Sequence, residues 1–248
     1  MVLADIDADS ATTAATQLGP TVTGIGLDVR DPAAFQAVVD RIIDEHGGLD
    51  LLVNNAGISM GGPTHELTAR HWERIVDTNI GGVVNGVLAA YPRMIARGHG
   101  HIVNTASGAG LVAPPFVTAY ATTKHAVVGL SLGLRPEAAL HGVNVSVLCP
   151  GAVDTAILDR RPDDDLPPGP TASVTAREYL SVVGQHPIPA ERFARLAMRG
   201  IDRNRPIILA PPSARPIWYL HRFSPRLTQR VLQLVAERVE HRLLQPRR

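Results

Sequence analysis

Short apolar runs alternate along this chain with longer stretches whose apolar residues recur three or four positions apart, and that alternation restricts its fold most. The runs cover residues 2–4, 21–27, 49–54, 101–106, 143–148 and 206–210. Apolar side chains on consecutive positions leave a strand no face for water, so such strands must be covered on both sides. Helix-period segments between them supply the cover, and the pattern predicts a parallel sheet with helices on both faces. The best-marked helix lies between Asp31 and Gly47. Asp31 suits the N-cap, Pro32 the first helical position, and Phe35, Val38, Val39, Ile42 and Ile43 repeat at helical spacing before Gly47 stops it. Longer helices are expected over 68–97 and 115–140, with Pro136 threatening to kink the second. The proline-rich stretch 159–170 reads as an excursion from the body.

A length of 248 residues suffices for one large α/β domain. A net charge of +1 gives no footing for nucleic acid, and 45% apolar residues exclude a disordered chain. Cys149 is the single cysteine, so no intrachain disulfide can form and a reducing compartment suits it. The opening MVLADIDAD is acidic without a long apolar stretch, and no run approaches a membrane span. A soluble cytoplasmic protein is the expectation.

Of 24 basic side chains, only Lys124 is a lysine, and it stands four residues after Tyr120 in YATTK. At that spacing both lie on one helix face. A nearby ammonium can stabilise a phenolate whose ordinary pKa of about 10 is too high for acid–base work near neutrality. Alone, the pair could equally be an ion or stacking contact. Thirteen residues earlier a strand run ends in Ser107, where ligand sites of parallel sheets fall, although a loop serine would read the same. Another run ends in Asn54, Asn55, Ala56 and Gly57, small enough to admit a flat ligand or to form an ordinary turn. Asn79 and two glycines interrupt a helical stretch, which suggests a local distortion there or crowding against another helix.

Taken in order, NNAG, Asn79, Ser107, Tyr120-x-x-x-Lys124 and CPGAVDT from Cys149 to Thr155 resemble the short-chain dehydrogenases/reductases over residues 1 to about 210. The resemblance implies a Rossmann-like, doubly wound parallel sheet, here of about six strands. It implies an NAD(P)-dependent oxidoreductase moving hydride between nicotinamide and a secondary alcohol or ketone. Tyr120 would be the general acid/base, and Lys124 would lower its pKa and hold the nicotinamide ribose. Ser107 would polarise the substrate oxygen, and Asn79 would position a water relaying protons to Lys124. Arginine could not join that relay, because its pKa exceeds 12. Asn55, Ala56, Gly57, Pro150, Gly151, Val153 and Thr155 would line the cofactor, and Asp28 with Val29 would meet its adenine. Asp5, or Asp7 beside it, would accept from the adenosine ribose and repel a 2′-phosphate, favouring NAD over NADP. A homodimer or tetramer through the two long helices is implied. The other reading is a non-catalytic binding or scaffold protein of the same fold.

The resemblance also implies a first strand and glycine-rich turn ahead of residue 2, and the chain shows neither. Gly108-Ala-Gly110-Leu-Val-Ala113 matches the pattern, but Pro114 and Pro115 follow it and it reads as a loop after the Ser107 strand. The expectation is a natural start roughly 25–35 residues upstream, the length of one βα unit, or else a shortened chain that binds cofactor weakly. Residues 156–200 would form the substrate loop, moderately apolar. Residues 211–248 would be a helical extension, with Leu227, Val231, Leu234 and Val235 at helical spacing and seven Arg against two Glu from His221 onward. That extension should pack on the body or on a subunit partner, with peripheral membrane contact as the lesser option.

Overall fold

The computed structural model describes residues 1–159 and 174–244. Most of the excursion expected at 159–170 therefore lies outside the described residues. In chain order the regular elements are β1 (Val2–Asp5), α1 (Ala8–Leu18), β2 (Thr23–Gly26), α2 (Pro32–His46), β3 (Leu51–Asn54), α3 (Ala69–Val76), α4 (Gly82–Arg97), β4 (Gly100–Thr105) and α5 (Thr118–Ala139). They continue with β5 (Val143–Pro150), β6 (Val153–Asp154), α6 (Ala176–Val182), β7 (Ile188–Pro189), α7 (Ala190–Asp202), β8 (Ile207–Ala210), α8 (Arg215–Phe223) and α9 (Pro225–Val239).

All six expected core strands form, and every pairing among them is parallel. They do not make one continuous sheet. β3, β4, β5 and β8 are hydrogen-bonded in that order, while β1 and β2 pair only with each other. The break falls between β1 and β3, where the resemblance places a further strand. Leu51 and Val53 on that side are 38% and 43% exposed.

Side chains alternate across the four-stranded sheet and explain its apolar runs. Ile102 and Val145 pack with Val39, Ala90 and Met94 of the helices on one face. Val103, Leu148 and Ile208 pack with Ala197 and Ile201 of α7 on the other. Away from β3 both faces are covered, so most strand positions are apolar.

Helix signals act where they are written. The Asp31 carboxylate accepts from the amides of Ala33 and Ala34 at 2.9 and 3.0 Å, and Gly47 ends α2 at φ 76°. The long stretch from 68 to 97 is split by a π-helical turn at Asp77–Gly81, the distortion that Asn79 signals. Pro136 lies in the last turn of α5 without ending it, so the face carrying Tyr120 and Lys124 is undisturbed.

Candidate active site

The site is assembled where β4 hands over to α5. Ser107 follows the strand and caps a single 3₁₀ turn, Gly108–Gly110, accepting from the Ala109 amide at 3.1 Å. This is the loop expected for that glycine pattern. Gly110 is needed for close approach: a β-carbon there would stand 2.5 Å from the Lys124 carbonyl oxygen. The turn thereby presses against α5, and Ser107 lines the same cavity as the Tyr120 phenol.

Lys124 is almost wholly buried, with Nζ 5.6 Å from the centre of the Tyr120 ring. Its ammonium donates to the Thr105 carbonyl at the end of β4, at 2.9 Å. Burial lowers the Lys124 pKa to about 8. Burial also raises the Tyr120 phenol above its ordinary value, and the Ser107 side chain offsets part of that rise. The direction differs from the lowered phenol expected from the sequence. Desolvation of the charged phenolate outweighs the help it receives, so Tyr120 holds its proton.

Asn79 occupies the π turn and is fully buried. Its Oδ1 accepts from the Ile58 amide at 2.8 Å, and its Nδ2 donates to the Ile58 carbonyl and to Thr123 Oγ1, both at 3.0 Å. The side chain thus ties the loop after β3 to α5, one residue from Lys124. A β-carbon on Gly57 would stand 3.1 Å from Asn79 Oδ1 and 3.3 Å from Lys124 Nζ, so three of the motifs meet here in space.

These groups open into one cavity of about 1190 Å³ across the carboxyl ends of the strands. Asp5 contributes from β1, Asp28 and Val29 from beyond β2, and Asn55, Ala56 and Gly57 from beyond β3. Ser107 follows β4, while Pro150, Gly151, Val153 and Thr155 follow along and beyond β5. Of the residues given a site role in the sequence, all line this cavity except Asn79, which stands behind Gly57, and Asp7, whose carboxylate caps α1 through Ser10. The volume exceeds the ~300–1,000 Å³ of a site for one drug-sized ligand. An exposed carboxylate at one end, a flat glycine floor and an ammonium at the other fit a nicotinamide dinucleotide with a substrate beside it. Asp28 is held below the usual carboxylate range by Arg30, which pairs with it at 2.6 Å.

Two features of the site are not legible in the sequence. Asn54 donates to Asn104 at 2.9 Å, and Asn104 donates to Ser131 at 3.0 Å, a buried polar ladder linking β3, β4 and α5. The only sign of it is an asparagine near the end of each of two strands. In addition, Trp218 of α8 and Val231, Leu232 and Val235 of α9 wall the same cavity. Helical spacing marks the α9 residues as one stripe but does not say what that stripe faces.

Comparison with known proteins follows the same lines. A family model described as short chain dehydrogenase matches residues 1–166. Galactitol 2-dehydrogenase of Agrobacterium fabrum is 39% identical over 155 residues, covering 62% of this chain and 60% of that protein. The chain spans between 60% and 66% of the length of the first curated relatives it matches. A Burkholderia phymatum short chain dehydrogenase/reductase solved in complex with NAD superposes with a TM-score of 0.82 at 33% identity, covering 91% of this chain and 85% of that one. A Sphingobium yanoikuyae short-chain dehydrogenase in complex with NADPH gives 0.71 at 26% identity, covering 85% and 78%.

Proposed function

The chain belongs to the short-chain dehydrogenase family, and from that premise we propose that it is an NAD(P)-dependent oxidoreductase acting on a secondary alcohol or ketone. The observation that carries the reading is the Tyr120 phenol with the Lys124 ammonium beside its ring, in one cavity that Ser107 also lines and that reaches Asp5. Asn55, Ala56, Gly57, Pro150, Gly151, Val153 and Thr155 would hold a nicotinamide cofactor, which when bound would supply or accept hydride at the substrate carbon. Tyr120 gives its proton to the carbonyl oxygen in reduction and takes it from the alcohol in oxidation. A phenol that keeps its proton suits the first role, and the Lys124 charge favours the phenolate as the proton leaves. Ser107 donates to the same substrate oxygen while negative charge gathers on it. Asn79 keeps Gly57 and Lys124 in register from behind, and a water beside it would pass protons to Lys124.

Asp5 selects NAD over NADP. Its carboxylate caps β1, already accepts from the Asp7 amide at 3.0 Å, and has further lone pairs for ribose hydroxyls. Association runs through the two long helices, where Leu88 of α4 is 65% exposed and Leu132 of α5 is 38% exposed. The buried lone Cys149 suits the cytoplasm. Among the described residues no helix is long and apolar enough to cross a membrane.

Calorimetric titration with NADH and with NADPH tests the reading. Micromolar binding, tighter for NADH, is expected. No heat from either cofactor would leave the same fold serving only to bind or scaffold.

A further inference from the structure

The cavity has two chemically distinct halves. Near the strand ends it meets Asp5, Asp28, Arg30, Arg74 and Lys124. Beyond Thr155 the lining holds no Asp, Glu, Lys or Arg among the described residues, and its polar side chains are Tyr179, Gln185, His186 and Ser213. The rest of that half is apolar and comes from separate parts of the chain. Leu158 follows β6, Leu180 lies on α6, Phe193 on α7, Trp218 on α8 and Val231 on α9.

The carboxy-terminal helices build this half as much as the expected loop does. α6 and α9 are in contact, and α8 packs on α9. Val231 and Val235 turn toward the cavity, while Leu227 and Leu234 on the same stripe stay exposed. Tyr179 lines the wall with its hydroxyl buried and unpartnered among the described residues. Burial pushes that phenol up to about 12, so it stays a neutral donor.

We propose that the substrate is a neutral secondary alcohol or ketone with an extended hydrocarbon body, which lies between α6 and the α8–α9 hairpin. This names the substrate class for the oxidoreductase reading and rests on it. A carboxylate or a polyol placed there would give up its hydration without a charged or sufficient polar partner among the described residues. An alkyl body loses only unfavourable contact with water. Trp218, Val231 and Leu232 are then specificity residues, set by the tail rather than by the loop.

The test reads binding, so it does not depend on turnover. The full chain is titrated by calorimetry with 2-alkanones from butanone to dodecanone, and with 3-hydroxybutyrate and a hexitol. Kd should fall about fourfold for each added methylene over the first several carbons, with the two polar ligands weaker than any long ketone. Val231→Asp, and separately Trp218→Ala, should flatten that dependence in proteins whose circular dichroism and melting show the fold kept. Affinity independent of chain length, or tighter binding of the hydroxy acid or hexitol, would overturn the proposal. Absence of NADH binding would instead sink the oxidoreductase reading, and the ketone series would still decide this one.

Discussion

The Lys124 ammonium donates to the Thr105 carbonyl at 2.9 Å, joining α5 to the end of the strand that delivers Ser107. A single hydrogen bond thereby ties the helix that carries Tyr120 to the strand end that leads into Ser107. Its donor is a nearly dry cation, which makes the site both costly to fold and sensitive to change.

Replacing Tyr120 by Phe should remove the proton carrier and little else. Turnover is expected to fall by roughly 10²–10⁴-fold, with NADH affinity within a few-fold of the parent. The melting temperature should change little, because one phenol hydroxyl is lost from a packed ring. Steady-state rates and a calorimetric NADH titration check both halves.

Lys124 predicts a pH dependence with a definite sign. Its pKa is about 8 in the folded chain, against 10.5 for a fully hydrated lysine. Below pH 8 the folded and unfolded chains both carry the charge, and the folded one suffers for it. Between about 8 and 10.5 the unfolded chain binds the extra proton, so this group adds stability as pH rises. Cys149, pushed up to about 12 from 9.0, acts oppositely above pH 9, as does Tyr120 above 10. Lys124→Met isolates the lysine: its stability advantage at pH 7 should be about 2–3 kcal/mol and shrink toward pH 10.5. Urea melts of both proteins across that range measure it; an advantage constant with pH would refute the desolvation account.

Two glycines should fail in different ways. Gly110→Ala forces a β-carbon to 2.5 Å of a helix backbone oxygen and should cost about 1–3 kcal/mol of stability. Gly57→Ala meets side-chain atoms at 3.1 and 3.3 Å, which can give by a few tenths of an ångström. It should lower turnover about tenfold through displaced Lys124 with little loss of melting temperature. Chemical denaturation and rate measurements on the pair separate the two effects.

Asp5→Asn removes a negative charge from the tip of β1. The NADH to NADPH affinity ratio should shift toward NADPH by about tenfold, through lost repulsion of a 2′-phosphate. Competitive titration of the two cofactors on parent and variant reads the ratio directly.

Leu88→Glu combined with Leu132→Glu places like charges on the exposed faces of α4 and α5. Sedimentation should show a dimer or larger assembly for the parent and a monomer for the variant. A monomeric parent would end the idea that these helices form the interface.

Much of the molecule is legible directly from residues because it is local. Tyr120 and Lys124 share a helix face whatever surrounds them, Asp31 and Gly47 delimit α2 through their own backbone chemistry, and Asn79 with its glycines weakens one turn of helix. Strand positions are legible too, since burial on both faces leaves an unbroken apolar run. Folding in three dimensions settled the remainder. The gap between β1 and β3, the asparagine ladder to Ser131, and the placement of Val231 against the cavity all join residues far apart in the chain. So does the desolvation that raises Tyr120 and lowers Lys124. Spacing reports which side chains share an element, whereas burial and charge balance depend on what the rest of the chain packs around them.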